Sequence, residues 1–369
     1  MKRVLAAGGR AVVRDVPEPE LRAGDVLVQT HFSAISAGTE RYFIEGSGDP
    51  TFTASEYPGD PPHWPKIRNA GVRRGPLPRP VLPGHFSIGY SLAGRVLAVG
   101  ADVLDLSPGD AVACSGSQCA HHAERVAVPR NLTVRVPDQV PLRDAAFVTL
   151  GAIGMASVRE TRCQFGETVV IYGLGLLGLL AGQIAGAAGL RVIGFDLDGR
   201  RLQLARELGI PDVHDPRRNN PLEIVRGATD GFGADSVILA VQTESEEPLN
   251  LSFDLCRQRG NVVALGQFGW QIDRQRMFEN EVTIRPVRAY GPGRYDPVYE
   301  EGNSDYPIGW VRWTENRNQA AFLRLLDEGK VKVAPLSPVT VPFDRAPEAY
   351  DLLQAEDRPP TVVLAYDAS

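Results

Sequence analysis

Residues 168–200 read TVVIYGLGLLGLLAGQIAGAAGLRVIGFDLDGR. Thr168 to Tyr172 is a short apolar, β-branched run, and Gly173-x-Gly175-x-x-Gly178 follows at once. A helix fits from about Leu176 to Ala188, and a second strand, Arg191 to Phe195, ends on Asp196. Strand, glycine turn, helix, strand and acid in that order form a dinucleotide-binding fingerprint. Gly173 permits the tight turn, Gly175 lets backbone approach a pyrophosphate, and Gly178 allows close helix–strand packing. Free amides at the helix start attract phosphate charge. Asp196 stands where a carboxylate accepts from the adenosine ribose hydroxyls. The cofactor-binding set is therefore Gly173, Leu174, Gly175, Leu176, Leu177, Gly178 and Asp196, with Arg200 nearby and Ala240 and Gly266 further along.

A membrane span is the competing reading. Thr168 to Leu190 carries no charge and is long enough to cross a bilayer, and Gly178, Gly182 and Gly186 are spaced like a helix-dimer face. Against it, no second long apolar run exists, the first two glycines open the segment as a turn, and the strand ending in Asp196 is left unexplained. The 369 residues suit two domains or one large one, with 43% hydrophobic and 23% charged residues as in an ordinary globule. A net charge of −6 gives no general attraction to nucleic acid or an anionic membrane. Four cysteines are too few for a disulfide scaffold. The N-terminal MKRVLAAGGRAVVRD has a basic start but no sufficient apolar core for a signal peptide, and the expected compartment is a reducing cytoplasm.

Residues 1 to about 147 read as all-β, with strands at Asp25–Ile35 and Ser91–Val99 and a strong turn at Ser107-Pro108-Gly109-Asp110. A Pro/Gly-rich excursion over 46–83 has no helix or strand period and reads equally as a lid or an inert loop. From Gly166 to about Val287 strands and helices alternate. Strands are expected at 168–172, 191–195, 235–240, 261–265 and 282–287, and helices at 198–208, 220–227 and 246–257. This is the pattern of a parallel, doubly wound sheet. An aromatic-rich segment follows, then a helix near 316–328 and short strands near 331–334 and 361–366 that return to the first domain.

Over nearly its whole length the chain resembles the medium-chain dehydrogenase/reductase superfamily, through VLVQTHFSAISAGTE, SLAGRVLAVG, LSPGDAVA, AERVAVPRNLTVRVPD, FGETVVIYGLGLLG and LLDEGKVKV. It is more closely similar to a subgroup reading SAGTE (Ser36–Glu40), GYSLAG (Gly89–Gly94) and GPGRYDPxYE (Gly291–Glu300). The resemblance implies an α/β chain: a GroES-like β domain (1–147 and 290–369) carrying the substrate, and a Rossmann nucleotide-binding domain (148–289). It implies a homodimer or tetramer and a nicotinamide cofactor, NAD rather than NADP because Asp196 repels a 2′-phosphate, although Arg200 and Arg201 soften this. Zinc-dependent members hold their metal with Cys, His and a third Cys or Glu. Here those positions fall on Ser36, on Tyr90 (with Ser91), and near Val148 or Thr149, so no metal is expected. Gly84-His85 imitates the histidine motif but lies five residues early. Cys114-x4-Cys119-x-His121-His122 collects ligand types at a spacing matching no common zinc site.

Without zinc, hydrogen-bond donors must stabilise the substrate oxygen. Tyr90 is the first catalytic candidate, with Ser36 and Thr39 next; Thr39 matches the family's proton-relaying hydroxyl. Glu40 is a candidate substrate contact, or a structural salt bridge with Arg41 or a later arginine. His31 and His63 read as surface or packing residues. Arg294, Tyr295 and Trp313 lie in a segment whose aromatics and arginines suit either a polyhydroxylated or phosphorylated ligand or a subunit interface. The expected function is an NAD(H)-dependent, zinc-independent interconversion of alcohol and carbonyl on a polar small molecule, sugar- or cyclitol-like or a specialised metabolite. The alternatives are a double-bond reductase of the enoyl or quinone type and a non-catalytic nucleotide-binding protein.

Overall fold

The structure, a computed structural model, describes residues 1–48 and 85–367. Most of the 46–83 excursion, His63 included, lies outside them. Two compact units emerge: Met1–Leu150, Gly291–Arg324 and Leu336–Ser369 form one, and Gly151–Tyr290 with Leu325–Pro335 the other.

The chain opens with β1 (Lys2–Ala7), β2 (Arg10–Asp15), β3 (Asp25–Ala34) and α1 (Ala37–Gly46). It continues through β4 (Phe86–Ser87), β5 (Ser91–Val99), β6 (Ala111–Ser115), β7 (Arg125–Pro129), β8 (Thr133–Arg135), α2 (Leu142–Ala145) and α3 (Val148–Glu160). The alternating stretch is β9 (Thr168–Tyr172), α4 (Leu176–Ala187), β10 (Arg191–Phe195), α5 (Gly199–Glu207), β11 (Val213–His214) and α6 (Pro221–Ala228), then β12 (Ala234–Leu239), α7 (Glu247–Leu255), β13 (Cys256–Ala264), α8 (Arg274–Glu279) and β14 (Thr283–Pro286). Last come α9 (Pro297–Glu300), α10 (Glu315–Asp327), β15 (Thr340–Pro342), α11 (Ala346–Leu352) and β16 (Val363–Ala365).

In the second unit the six strands run parallel in the order β11-β10-β9-β12-β13-β14. Counted within the unit this is 3-2-1-4-5-6, the Rossmann order, with its switch point between β9 and β12. Both faces of such a sheet are covered, so its strands read as continuous apolar runs. Val169, Val170 and Ile171 of β9 are fully buried, each stabilising by about 1.5–3 kcal/mol. α4 is buried along most of its length, which explains its lack of charge. Among the described residues no helix is long and apolar enough to cross a membrane.

The first unit is built on a seven-stranded sheet, β15-β16-β3-β5-β6-β8 with β7 also on β3, and a three-stranded sheet, β2-β1-β4. The expected strand near 361–366 is β16, which pairs antiparallel with β3 and so carries the C-terminal chain back to the N-terminal sheet.

Two expectations require correction. The N-terminal region is not all-β, because α1 follows β3 directly; Ser36 opens it and Arg41 pairs with Glu45 one turn on. The expected strand at 331–334 is absent. Val331 and Val333 are buried as a strand's alternation would have them, but the Lys332 amide donates to Gln183 Oε1 (2.8 Å) and its carbonyl accepts from Gln183 Nε2 (3.2 Å). A side chain of α4 thus takes the backbone groups that a strand would need, and 325–335 go with the second unit. Helix α3 is additional to the expected elements; its sequence VTLGAIGMASVRE is buried almost all round and so has no one-sided apolar stripe.

One buried group opposes the fold. Glu315, at the start of α10, is 0% exposed, and neither carboxylate oxygen has a hydrogen-bond partner among the described residues. Burial, then the nearby Glu300, pushes its carboxyl well above the ordinary range, with Arg294 pulling back. The folded chain therefore holds this proton more tightly than the unfolded chain. Stability is full below the ordinary glutamate range and declines as pH rises through the folded value. Glu315→Gln should flatten the fall in melting temperature between pH 5 and pH 8. An unchanged slope would show that Glu315 is not the group responsible.

Candidate functional site

The nucleotide site of the second unit is set by close approaches. Gly173 has φ +102°, and a Cβ there would lie 2.8 Å from the Ala240 carbonyl group. A Cβ on Gly178 would sit 1.9 Å from the Gly173 carbonyl oxygen, so α4 packs against the turn at a distance only glycine permits. Gly175 differs: a Cβ there would meet nothing within 4 Å. It is the N-cap of α4 and supplies no side-chain cap, leaving the half-buried start at Leu176 and Leu177 with amides to offer an anion. The same strand-end neighbourhood holds Ala240, whose amide donates to Tyr172, and Gly266, whose Cβ would meet the Val241 carbonyl at 2.0 Å.

Asp196 follows β10 and is 9% exposed. Its Oδ2 accepts the Leu174 amide at 2.7 Å, and its Oδ1 accepts the Asp198 amide at 2.8 Å. Each oxygen keeps acceptor capacity for a ribose hydroxyl. The arginine on Asp196 is Arg201 (3.5 Å), not Arg200; the Arg200 guanidinium turns to Asp198 at 3.1 and 3.2 Å. Asp198 itself, which caps α5 through the Arg200 amide, is an organiser that sequence reasoning missed.

In the first unit Ser36 is buried at the N-cap of α1, and Thr39 lies exposed on its first turn. Tyr90 is half-buried just before β5. Its carbonyl accepts the Thr149 hydroxyl (2.8 Å) and the Gly116 amide (3.2 Å), while Ser91 Oγ bridges Ala146 O and Thr149 N. Tyr90, Ser91 and Thr149 are thereby brought together. Glu40 is 1% exposed and bonds neither Arg41 nor a later arginine. It accepts from the Ser36 amide (2.7 Å) and the Tyr350 hydroxyl (2.6 Å) and meets His122 Nε2 at 3.0 Å. Both readings of Glu40 made from sequence are therefore replaced: its carboxylate faces His122 and Tyr350 inside the unit. Tyr350, Tyr366 and Ser33 gave no sequence signal, since they lie far apart along the chain.

Residues 177–303 match the family model described as zinc-binding dehydrogenase. D-Guloside 3-dehydrogenase of Escherichia coli K12 is 25% identical over 358 residues, 95% of each chain. The alcohol dehydrogenase TADH from Thermus sp. ATN1 superposes with a TM-score of 0.75 at 21% identity, covering 99% of this chain and 100% of that one. Galactitol-1-phosphate dehydrogenase from Escherichia coli gives 0.75 at 18% with the same coverage. The chain belongs to the medium-chain dehydrogenase/reductase superfamily. Like its relatives it is an oxidoreductase.

The family model's zinc finds a poor donor set in this dehydrogenase. The matched stretch excludes Ser36, Tyr90, Val148 and Thr149. Val148 is aliphatic and fully buried, and the Thr149 hydroxyl is engaged by Tyr90 O, so the set offers hydroxyls and neither thiolate nor imidazole. The other ligand types point to separate partners. Cys114 lies 3.8 Å from Thr133 Oγ1, and burial pushes its thiol up to about 12; burial also raises Cys119. His121 Nε2 meets Ser117 O at 3.0 Å, and burial and Arg3 lower it to about 3. His122 faces Glu40 and Ser33.

Segment 291–313 is largely bonded to its own unit. Arg294 pairs with Glu300 at 2.5 Å and donates to Ser117 Oγ (2.7 Å) and Gln118 Oε1 (3.1 Å); its side chain is 8% exposed. This buried clasp engages both terminal nitrogens of the Arg294 guanidinium. Tyr295 lies under the Arg294 guanidinium (4.2 Å) and gives its amide to Glu300, and Arg312 covers Trp313 at 3.9 Å. Trp310 is 89% exposed and, with Ile308 and Val298, faces out.

The contrast between two glycines is testable. Gly175→Ala should cost less than about 1 kcal/mol of stability yet weaken dinucleotide binding by about tenfold or more, because its methyl enters the space left for phosphate. Gly178→Ala should destabilise the unit by about 1–3 kcal/mol through overpacking. Chemical denaturation and NADH fluorescence titration separate the two; equal effects in both assays would contradict the assignment.

Proposed function

We propose that this oxidoreductase uses NAD(H) to interconvert an alcohol and a carbonyl on a sugar- or polyol-like small molecule, without zinc. The observation that carries the cofactor choice is the Asp196 carboxylate, fixed by the amides of Leu174 and Asp198 and able to accept from two free ribose hydroxyls. A 2′-phosphate would meet that negative charge at close range. Arg200 is drawn to Asp198, and Arg201, 3.5 Å from Asp196 Oδ2, offsets only part of that charge. The substrate class is supported by two relatives named for sugar and polyol chemistry, a D-guloside 3-dehydrogenase and a galactitol-1-phosphate dehydrogenase.

The nicotinamide, when bound, supplies the hydride acceptor or donor. The chain's own residues must hold charge on the substrate oxygen and handle a proton. Ser36, Thr39 and Tyr90 are hydroxyl donors at family site positions. The Tyr90 phenol takes the place of a zinc ligand and is the main donor, Ser36 the second, and exposed Thr39 passes the proton outward.

Two outcomes test this reading. NADH should bind at least about tenfold tighter than NADPH in fluorescence titration, and Asp196→Asn should narrow that ratio by removing the charge. Equal affinities in the wild type would remove the argument from Asp196. Tyr90→Phe should lower turnover by roughly 10- to 1000-fold, the scale of losing an oxyanion donor or general acid, with NADH affinity unchanged. Full turnover in Tyr90→Phe would exclude the phenol from the chemistry.

A further inference from the structure

Five side chains of the first unit, from five separate stretches of chain, form one buried polar chain. Tyr366 Oη lies 2.9 Å from Ser33 Oγ, and Ser33 Oγ lies 2.7 Å from His122 Nδ1. His122 Nε2 lies 3.0 Å from Glu40 Oε2, which also accepts from Tyr350 at 2.6 Å. Glu40 Oε1 accepts the Ser36 amide at 2.7 Å. All five are at most 8% exposed, and His122 and Ser33 are fully buried. Buried donors without acceptors are costly, so the protons must be arranged to waste none.

One arrangement does this. Tyr366 donates to Ser33, Ser33 donates to Nδ1 of a neutral His122, and its Nε2–H donates to an ionised Glu40. Tyr350 and the Ser36 amide supply the other two bonds to that carboxylate. Protonating Glu40, or making His122 cationic, puts a proton on Nδ1 facing Ser33 Oγ, so that either the Ser33 or the Tyr366 proton loses its acceptor within the chain. Burial and Glu40 both hold the Tyr350 phenol protonated, as the arrangement requires.

The same imidazole reaches the backbone before Tyr90. The His122 amide donates to Ile88 O (3.0 Å), and Gly89 has φ +94° with the ring where its Cβ would be, 2.7 Å from Cδ2 and Cγ. Neither the conformation nor the space admits a side chain there. Through Glu40 the ring is tied to Ser36, and through Gly89 to Tyr90. We propose that Glu40 and His122 are a positioning pair that fixes the spacing of Ser36 and Tyr90, with Glu40 ionised and His122 in its neutral Nε2–H form. The functional part of this rests on the reading of Ser36 and Tyr90 as the oxygen-binding donors. Neither Glu40 nor His122 touches substrate.

The test combines a tautomer measurement with kinetics. In ¹⁵N-histidine NMR of the full chain at neutral pH, the His122 signal is assigned by its loss in His122→Gln. It should show protonated Nε2 and bare Nδ1. In Glu40→Gln one amide cannot accept at both positions, so the Nε2–H form should lose its dominance. With methyl D-guloside as probe, Glu40→Gln should lower kcat by about 10- to 100-fold, the scale of a misplaced supporting group, with KM changed less than about threefold and NADH affinity unchanged. His122→Gln, whose amide can still donate to Glu40, should retain more turnover than His122→Ala. A wild-type His122 that is cationic or carries its proton on Nδ1 overturns the pair whatever the kinetics. A folded Glu40→Gln with unchanged kcat overturns its positioning role. If the tautomer is as proposed but Tyr90→Phe has no effect, it is the reading of the donors that fails, and the positioning role fails with it.

Discussion

The hydrogen bond from the Leu174 amide to the Asp196 carboxylate ties together the turn after β9 and the end of β10. It is possible only because Gly173 and Gly178 let turn and helix approach to distances that a methyl group would forbid. With that bond go the aim of the α4 amides, the open space at Gly175 and a carboxylate held in place at the end of β10. On the proposed reading that fixed charge selects the cofactor.

The first unit depends on a buried carboxylate in a different way. Glu40 gathers Ser36, His122 and Tyr350, and so joins β3, α1, the 121–122 loop and α11. Arg294 and Glu300 make a buried ion pair that clasps the 291–300 segment to Ser117 and Gln118. The two pairs turn motifs that suggested ligand contacts into scaffolding.

Legibility followed the range of the interactions. The nucleotide fingerprint was readable because its determinants are local: three glycines, a helix start and an acid within 24 residues of one another. The strand order could be expected for the same reason, each β-α unit announcing its own period. Helix α1 was not readable, because the glutamate that anchors its first turn is held by His122 and Tyr350, 82 and 310 residues away. The valines at 331 and 333 imitated a strand because burial alternates there, while Gln183 takes the backbone groups. Arg294 and Glu40 were visible as charged residues in motifs, but which partner each would take depends on contacts no spacing encodes.

In the proposed function hydroxyl donors do what zinc does in zinc-dependent dehydrogenases. The most direct measurement is turnover of the purified enzyme after exhaustive dialysis against a strong chelator, with metal content determined by elemental analysis on the same sample. The account predicts full turnover with far less than one zinc per chain. Loss of activity that returns on adding zinc, with about one zinc bound per chain, would contradict it.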